Sequence, residues 1–208
     1  MRYTKIRETT FQELQLNAGI FLLNFTPATG AFEPTAMLWS TSGGASFSDV
    51  PTFSDKGEGI DNCPRNMKEL KTLDYHEVTM SGTALTITSK NATKLMAAAD
   101  VDKSDPTKFI PRNDLLDTDF TDIWWVGDYS DKNGETKGGY IAIHLLNALN
   151  TGGFQLQSTD RDKGQFAFSF MGHYSMDAQD TVPYELYIKD GAAEAEDRGV
   201  RRNHEKTV

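Results

Sequence analysis

Apolar and polar residues alternate through the second half of the chain. Phe166, Phe168 and Phe170 fall on one face of an extended segment, and Gln165, Ala167 and Ser169 fall on the other. This period of two is what a half-buried strand imposes. Phe154 and Leu156 alternate in the same way with Gln155 and Gln157. So do Ile141, Ile143 and Leu145 with Ala142 and His144, and Tyr184, Leu186 and Ile188 with Glu185 and Lys189. Strands with one wet face normally pair antiparallel. The segments between them suit hairpins. Asp131-Lys132-Asn133-Gly134 through Gly139 separates a Trp124–Tyr129 strand from a Tyr140–Leu146 strand, and Thr151-Gly152-Gly153 and Asp160–Gly164 supply the next two turns. Pro183 opens the last strand, where a missing N–H is tolerated.

The first half is less regular. Gly19–Phe25 and Thr35–Ser40 read as strands, and Met67–Met80 with Thr83–Thr88 reads as a hairpin turning at Ser81-Gly82. Ala92, Leu95, Met96 and Ala99 stand at i, i+3, i+4 and i+7, which predicts a short helix over Asn91–Ala99 that packs on a sheet and is capped by Ser89 or Asn91. Ser42–Asn66 is rich in Gly, Ser, Asp and Pro and reads as one long loop. Long structured loops are usually functional or interfacial. This one carries Phe47, Val50, Phe53 and Ile60, with Asp55 and Asp61 among them, and is the candidate contact surface. Adjacent tryptophans point to opposite faces of a strand, so Trp124 and Trp125 require cover on both faces, from a neighbouring subunit or from the helix. The fold expected is mainly β, an antiparallel sandwich or small barrel with one flanking helix, in a single domain over residues 1–189.

Composition narrows the function. The 208 residues carry 30 acids and 21 bases, a net charge of −9. A protein that grips nucleic acid clusters Lys and Arg, so this balance argues against such a role and allows a surface that DNA slides past. A single cysteine, Cys63, excludes an internal disulfide and multi-cysteine metal clusters, and fits folding in a reducing cytoplasm. Met1–Thr10 is charged and has no apolar stretch of the kind a secretory signal needs, and no apolar run is long enough to span a bilayer. Asp190–Val208 mixes acids and bases with almost no large apolar residue, so it is expected to be a disordered tail that folding does not need.

Candidate chemistry is sparse. Gly57-Glu58-Gly59 begins a dinucleotide-like pattern, but Asn62 stands where glycine is required. Aligning Gly134 with the glycine of a calcium-binding loop puts Tyr129 and Tyr140 at the end positions, and a tyrosine cannot replace the carboxylates needed there. Asp114, Asp117, Asp119 and Asp122 read as a solvated acidic loop in preference to a loose cation site. Cys63 could meet His76 or His173 only through tertiary proximity. His173 is placed to pair with Asp177 or Asp180, and His144 reads as a surface residue. No catalytic residue, metal or cofactor is expected.

Several phrases carry a resemblance. Gly127–Ser130, Gly139–Leu145, Asn147–Gly153, Gly164–Asp177 and Val182–Ile188 resemble the major tail (tube) proteins of siphophages. So do Leu16–Gly19 at the opening and Ser42–Phe47 leading to Gly59-Ile60-Asp61. The likeness covers roughly residues 12–189 and lies in strand patterns and not in a catalytic signature. It implies subunits joined edge to edge into hexameric rings, inner sheets lining a channel, and a long loop or hairpin that reaches the next ring. The implied partners are further copies of the chain, other tail proteins at the tube ends and DNA in transit without sequence-specific binding. The implied location is the virion, after synthesis in the bacterial host cytoplasm. The alternative reading is a monomeric β-sandwich that binds carbohydrate or acts as an adhesin, with Trp124 or Trp125 against sugar rings. A Cys63-based hydrolase is a third.

Overall fold

The computed structural model describes residues 5–7, 10, 13–129 and 138–191. The elements run β1 (Gln15–Leu22), β2 (Thr41–Asp55), β3 (Lys71–Ala84), α1 (Ala92–Leu95), β4 (Ala99–Val101), β5 (Phe109–Pro111), β6 (Thr121–Tyr129), β7 (Gly139–Asn150), β8 (Gln155–Gln157), β9 (Gln165–Met171) and β10 (Tyr184–Lys189). The architecture is mainly β and every strand pair is antiparallel. Eight strands form one continuous sheet in the order β1-β6-β7-β9-β3-β2, with β10 beside β7 and β8 beside β9, while β4 and β5 form a separate small hairpin. Gly139–Leu145 of β7 pairs with β6 and β10, and Leu149–Asn150 pairs with β9. The sheet therefore folds over at β7 into two facing layers.

The main core lies between the layers. Phe21, Ile123, Ile143 and Leu145 from one layer meet Val78, Met80, Phe168 and Phe170 from the other, with Leu38, Trp39 and Leu95 closing the edges. The predicted alternation over Phe166–Phe170 is thus the core face of β9. Trp39 stacks parallel to Phe170 at 5.9 Å, and Phe21 meets Phe168 edge-on at 5.1 Å, both favourable ring geometries.

A second apolar cluster occupies the opposite face of β1, β6 and β7. Leu22, Phe25, Trp124 and Ala142 form it, with Tyr140 and Tyr187 at its margin. The chain covers this face itself. After β1 it passes through a short 3-10 turn at Pro34–Ala36 and returns, so that the Leu38 amide donates to the Phe21 carbonyl and Met37 bridges Leu22. The strand expected over Thr35–Ser40 is this turn and bridge. Trp124 packs on Phe25 under that lap, whereas Trp125 reaches the margin of the main core and donates its indole N–H to the Ala18 carbonyl at 3.1 Å. Cover for both tryptophans comes from within the chain, and not from the helix.

Three further expectations are corrected. β3 runs straight through Ser81-Gly82, so there is no hairpin there. Gly82 is needed for a close approach, because a Cβ on it would lie 2.8 Å from the Phe168 ring. The helix is a single turn, Ala92–Leu95, ended by Ala97 at φ +64°. Asn91 does not cap it; its side-chain amide donates to the Leu38 carbonyl. Ser42–Asn66 is not one long loop: residues 42–55 belong to β2 and pair with β3, and only 56–66 form the turn that follows. The Asp131–Gly134 turn and the tail from residue 192 onward lie outside the described residues.

Phe170 is 1% exposed in the main core and Leu156 is 57% exposed on β8. Phe170→Ala should cost about 3–5 kcal/mol in urea unfolding, whereas Leu156→Ala should cost less than about 0.5 kcal/mol. Equal costs for the two would contradict this placement of the core.

Candidate functional site

The feature that stands apart from the sandwich is the hairpin of β2 and β3. β9 pairs with β3 only from Thr79 to Ala84. Beyond Thr79 each strand of the hairpin has only the other as a partner. From Asp49 to Asp55 this two-stranded arm extends roughly 20 Å at the rise of an antiparallel strand. β2 can leave the body because Gly43 and Gly44, at φ +74° and +81°, form a bulge between Ser42 and Ala45. Pro51 is tolerated because β2 is an edge strand.

At the root, Asp49 ties the arm to the last strand. Its carboxylate accepts the Tyr184 hydroxyl at 3.0 Å and faces His76 Nδ1 at 2.8 Å. Burial of the phenol raises the Tyr184 pKa, and the bond to Asp49, which holds its proton, adds to the shift. Phe47 packs on the Tyr184 ring at 5.1 Å, so this candidate belongs to the margin of the core. The His76 amide donates to the Tyr174 hydroxyl at 3.0 Å, which ties the root to the β9–β10 connection as well.

Along the arm, apolar side chains are exposed on both faces. Val50 is 54% exposed, Phe53 51%, Leu73 50% and Tyr75 51%. Phe53 and Leu73 are direct cross-strand partners, and the Lys71 ammonium lies 5.1 Å from the Phe53 ring centre. A two-stranded hairpin is marginal in water without a surface to pack on. Apolar groups spread over both its faces are what a partner would cover.

The tip is organised by Asp55. Its carboxylate accepts the Gly57 and Asn66 amides, each at 2.9 Å. Those two backbone bonds, Asn66 first, hold its pKa below the usual carboxylate value. A Cβ on Gly57 would lie 2.9 Å from Leu70 Cδ1 and 3.0 Å from the Cys63 sulfur, so a larger residue would have to displace these side chains. Ile60 and Asp61 are exposed on the tip. Cys63 lies 3.7 Å from the Met67 sulfur, while His76 is at the root beside Asp49. The structure does not bring the cysteine–histidine pair together.

Of the acidic loop, Asp119 and Asp122 have structural partners. Asp119 accepts the Arg112 guanidinium at 2.6 Å and the Leu116 amide at 2.8 Å, and Asp122 accepts the Asn147 amide at 2.9 Å. Among the described residues no three His, Cys, Asp or Glu side chains are grouped to hold a metal ion. His173 donates Nδ1–H to the Asn147 carbonyl and packs edge-on against Phe120; no ion pair joins it to Asp177 or Asp180. His144 is not a free surface residue. It stacks on Trp124 at 3.9 Å between Asp122 and Glu185. Among the described residues no helix is long and apolar enough to cross a membrane. Sequence reading missed the Asp49–His76–Tyr184 link, because its members lie far apart in the chain and only the register of β2 on β3 joins them.

Asp55→Ala should release the Gly57 and Asn66 amides to fast hydrogen exchange while the thermal midpoint moves by no more than about 2 °C. Because the folded pKa is depressed, the carboxylate's contribution is fully present above its unfolded value and disappears as pH falls through the folded one. Protection of these two amides should therefore persist at neutral pH and be lost only once the pH falls below the ordinary aspartate range. Unchanged exchange in the variant would show that the tip does not rest on Asp55.

The chain matches no protein-family profile and no curated protein to a significant degree.

Proposed function

We propose that this chain is a non-catalytic structural subunit that assembles into stacked hexameric rings, the tail tube of a long-tailed bacteriophage and a conduit for its DNA. The observation that carries the reading is the arm: a two-stranded hairpin with Val50, Phe53, Leu73 and Tyr75 exposed on both faces. An apolar arm has a use when a neighbouring copy receives it. The phrases that resemble siphophage tube proteins extend over the same sandwich.

Other features support assembly. Among the described residues β2 and β10 each pair with a strand on one side only, so each offers an edge to a neighbour. Leu186 and Ile188 on β10 are exposed beside such an edge. Rings need a self-complementary or head-to-tail contact, and strand edges supply either. Net charge −9 suits a conduit: an acidic bore repels DNA over roughly a Debye length, about 8 Å at physiological salt, so DNA does not adhere in passage. Within this reading the protein resides in the virion, and other tail proteins bind the tube ends. The carbohydrate-binding alternative loses its proposed platform, since Trp124 is buried and Trp125 is packed against the core.

Electron microscopy of the concentrated full chain should show rings or tubes. Phe53→Ser combined with Leu73→Ser should fold normally and fail to polymerise, since each buried large apolar side chain contributes about 1.5–3 kcal/mol and every ring repeats the contact. A wild-type chain that stays monomeric at millimolar concentration would overturn the proposal, and a double variant that still builds long tubes would remove the arm from it.

A further inference from the structure

A cleft of about 600 Å³ lies at the root of the arm, between the Asp117 turn and the β9–β10 connection. Phe120, His173, Tyr174 and Met176 line it, with Asp117 and Asp177 at its sides. Met176 is 89% exposed, an unusual position for a large thioether in an unassembled surface. The carboxylates of Asp117 and Asp177 are exposed and enter no ion pair among the described residues. The cleft thus combines a lining of mixed polarity, with Phe120 and Met176 as its apolar members, and two carboxylates in no ion pair.

We infer that this cleft is the receptor for the arm tip of a second copy of the chain, with Asp117 and Asp177 meeting the tip cations Lys56 and Arg65. The inference rests on the assembly reading above and names the surface that it requires. Lys56 and Arg65 are exposed and in no ion pair within 4.0 Å among the described residues, although Arg65 feels the charge of Asp55, and Ile60 and Met67 expose apolar surface beside them. Residues 55–71 hold four acids and four bases, so the tip is neutral in a chain of net charge −9. Asp55, one of those acids, is occupied by its two backbone amides. An acidic cleft repels such a segment less than it repels the chain as a whole.

Geometry makes the contact intermolecular. The hydroxyl of Tyr174, in the cleft, accepts the His76 amide at the arm's root. From His76 to Lys71, where the tip begins, β3 covers roughly 17 Å. A paired strand cannot fold back over that distance, so a tip and its own cleft do not meet. Tip and cleft are different surfaces, and joining them is a head-to-tail contact. Made in one direction, such a contact repeats from copy to copy into closed rings or open stacks, whereas a reciprocal exchange of tips would close a two-fold dimer.

The test is a charge exchange in the full chain, read by sedimentation and electron microscopy, with folding checked by circular dichroism. Asp117→Lys with Asp177→Lys should raise the concentration needed for assembly by about tenfold or more, because like charges then face each other across the contact. Adding Lys56→Glu and Arg65→Glu should restore it. An independent readout uses the single cysteine, which lies on the tip. Met176→Cys under mild oxidation should give ladders of chains joined between Cys63 and the introduced thiol, and these should be absent when Cys63→Ala is added. If the cleft variant assembles like the wild type and no ladder forms, the inference is overturned while the tube reading stands. If the cleft variant fails and the exchange does not rescue it, the tip is not the occupant. A wild-type chain that never assembles overturns both.

Discussion

One strand holds the two layers together. β7 pairs with β6 and β10 in its first half and with β9 at its end, so it must change sheets without losing its backbone partners. The bend falls at Asn147, in the left-handed region at φ +47°, a conformation that asparagine tolerates better than most residues. Its amide donates to Asp122 and its side chain donates to the His173 carbonyl. Asn150 then locks the corner. It is fully buried, donates to the Leu95 and Gly153 carbonyls, and accepts the Ser169 amide. A buried amide left unpaired would be costly, and one fully paired specifies a single arrangement. The packing of Leu145 against Phe168 and Phe170, and with it the main core, depends on this corner.

The arm follows from where the corner leaves β9. β9 ends at Met171, opposite Thr79, and there the second layer ends as well. β3 continues for eight more residues toward the tip; after Val78, whose carbonyl accepts the Gly172 amide, β2 is its one strand partner among the described residues. Sandwich strands without a facing layer have no core side. The distal residues are accordingly exposed on both faces, and the root needs an anchor of its own. Asp49 supplies it by facing His76 on the arm and Tyr184 on β10 together. The anchor couples the posture of the arm to β10, an edge strand that the ring proposal assigns to a neighbour.

Legibility in the sequence followed the number of buried faces. β9 has one buried apolar face, and period-two alternation identified it. On β10 the alternation marked the strand but not its packing: Leu186 and Ile188 are exposed, and Tyr184 and Tyr187 pack on the two clusters. β6 and β7 are covered on both faces, and the paired tryptophans betrayed this although not what covers them. The arm is covered on neither face, so selection on alternation is absent, and Gly43, Gly44 and Pro51 made β2 look like a loop. What marked it was length and the recurrence of isolated apolar residues, which is why Phe53, Val50 and Ile60, all exposed, stood out. Phe47 was grouped with them because a loop reading gives no register, and register is what assigns it to Tyr184 and the core margin. Gly82 misled for a related reason: a glycine set by contact with a ring reads in sequence like a glycine set by a turn.

Charge gives the arm's length a physical meaning in the proposed assembly. Copies of net charge −9 repel when their acidic bodies approach. Salt confines that repulsion to about 8 Å at physiological ionic strength. An arm that projects roughly 20 Å carries its apolar groups well beyond that range. Its neutral tip can reach a second chain while the two bodies remain outside each other's screened field. Apolar burial then begins before the repulsion is felt, and closer contact along the strand edges is made from a tethered state, at a high effective concentration. A short loop with the same residues would require the acidic bodies to meet first. The extension of β2 and β3 past the sandwich is therefore suited to a subunit that must be acidic along a bore and cohesive between rings.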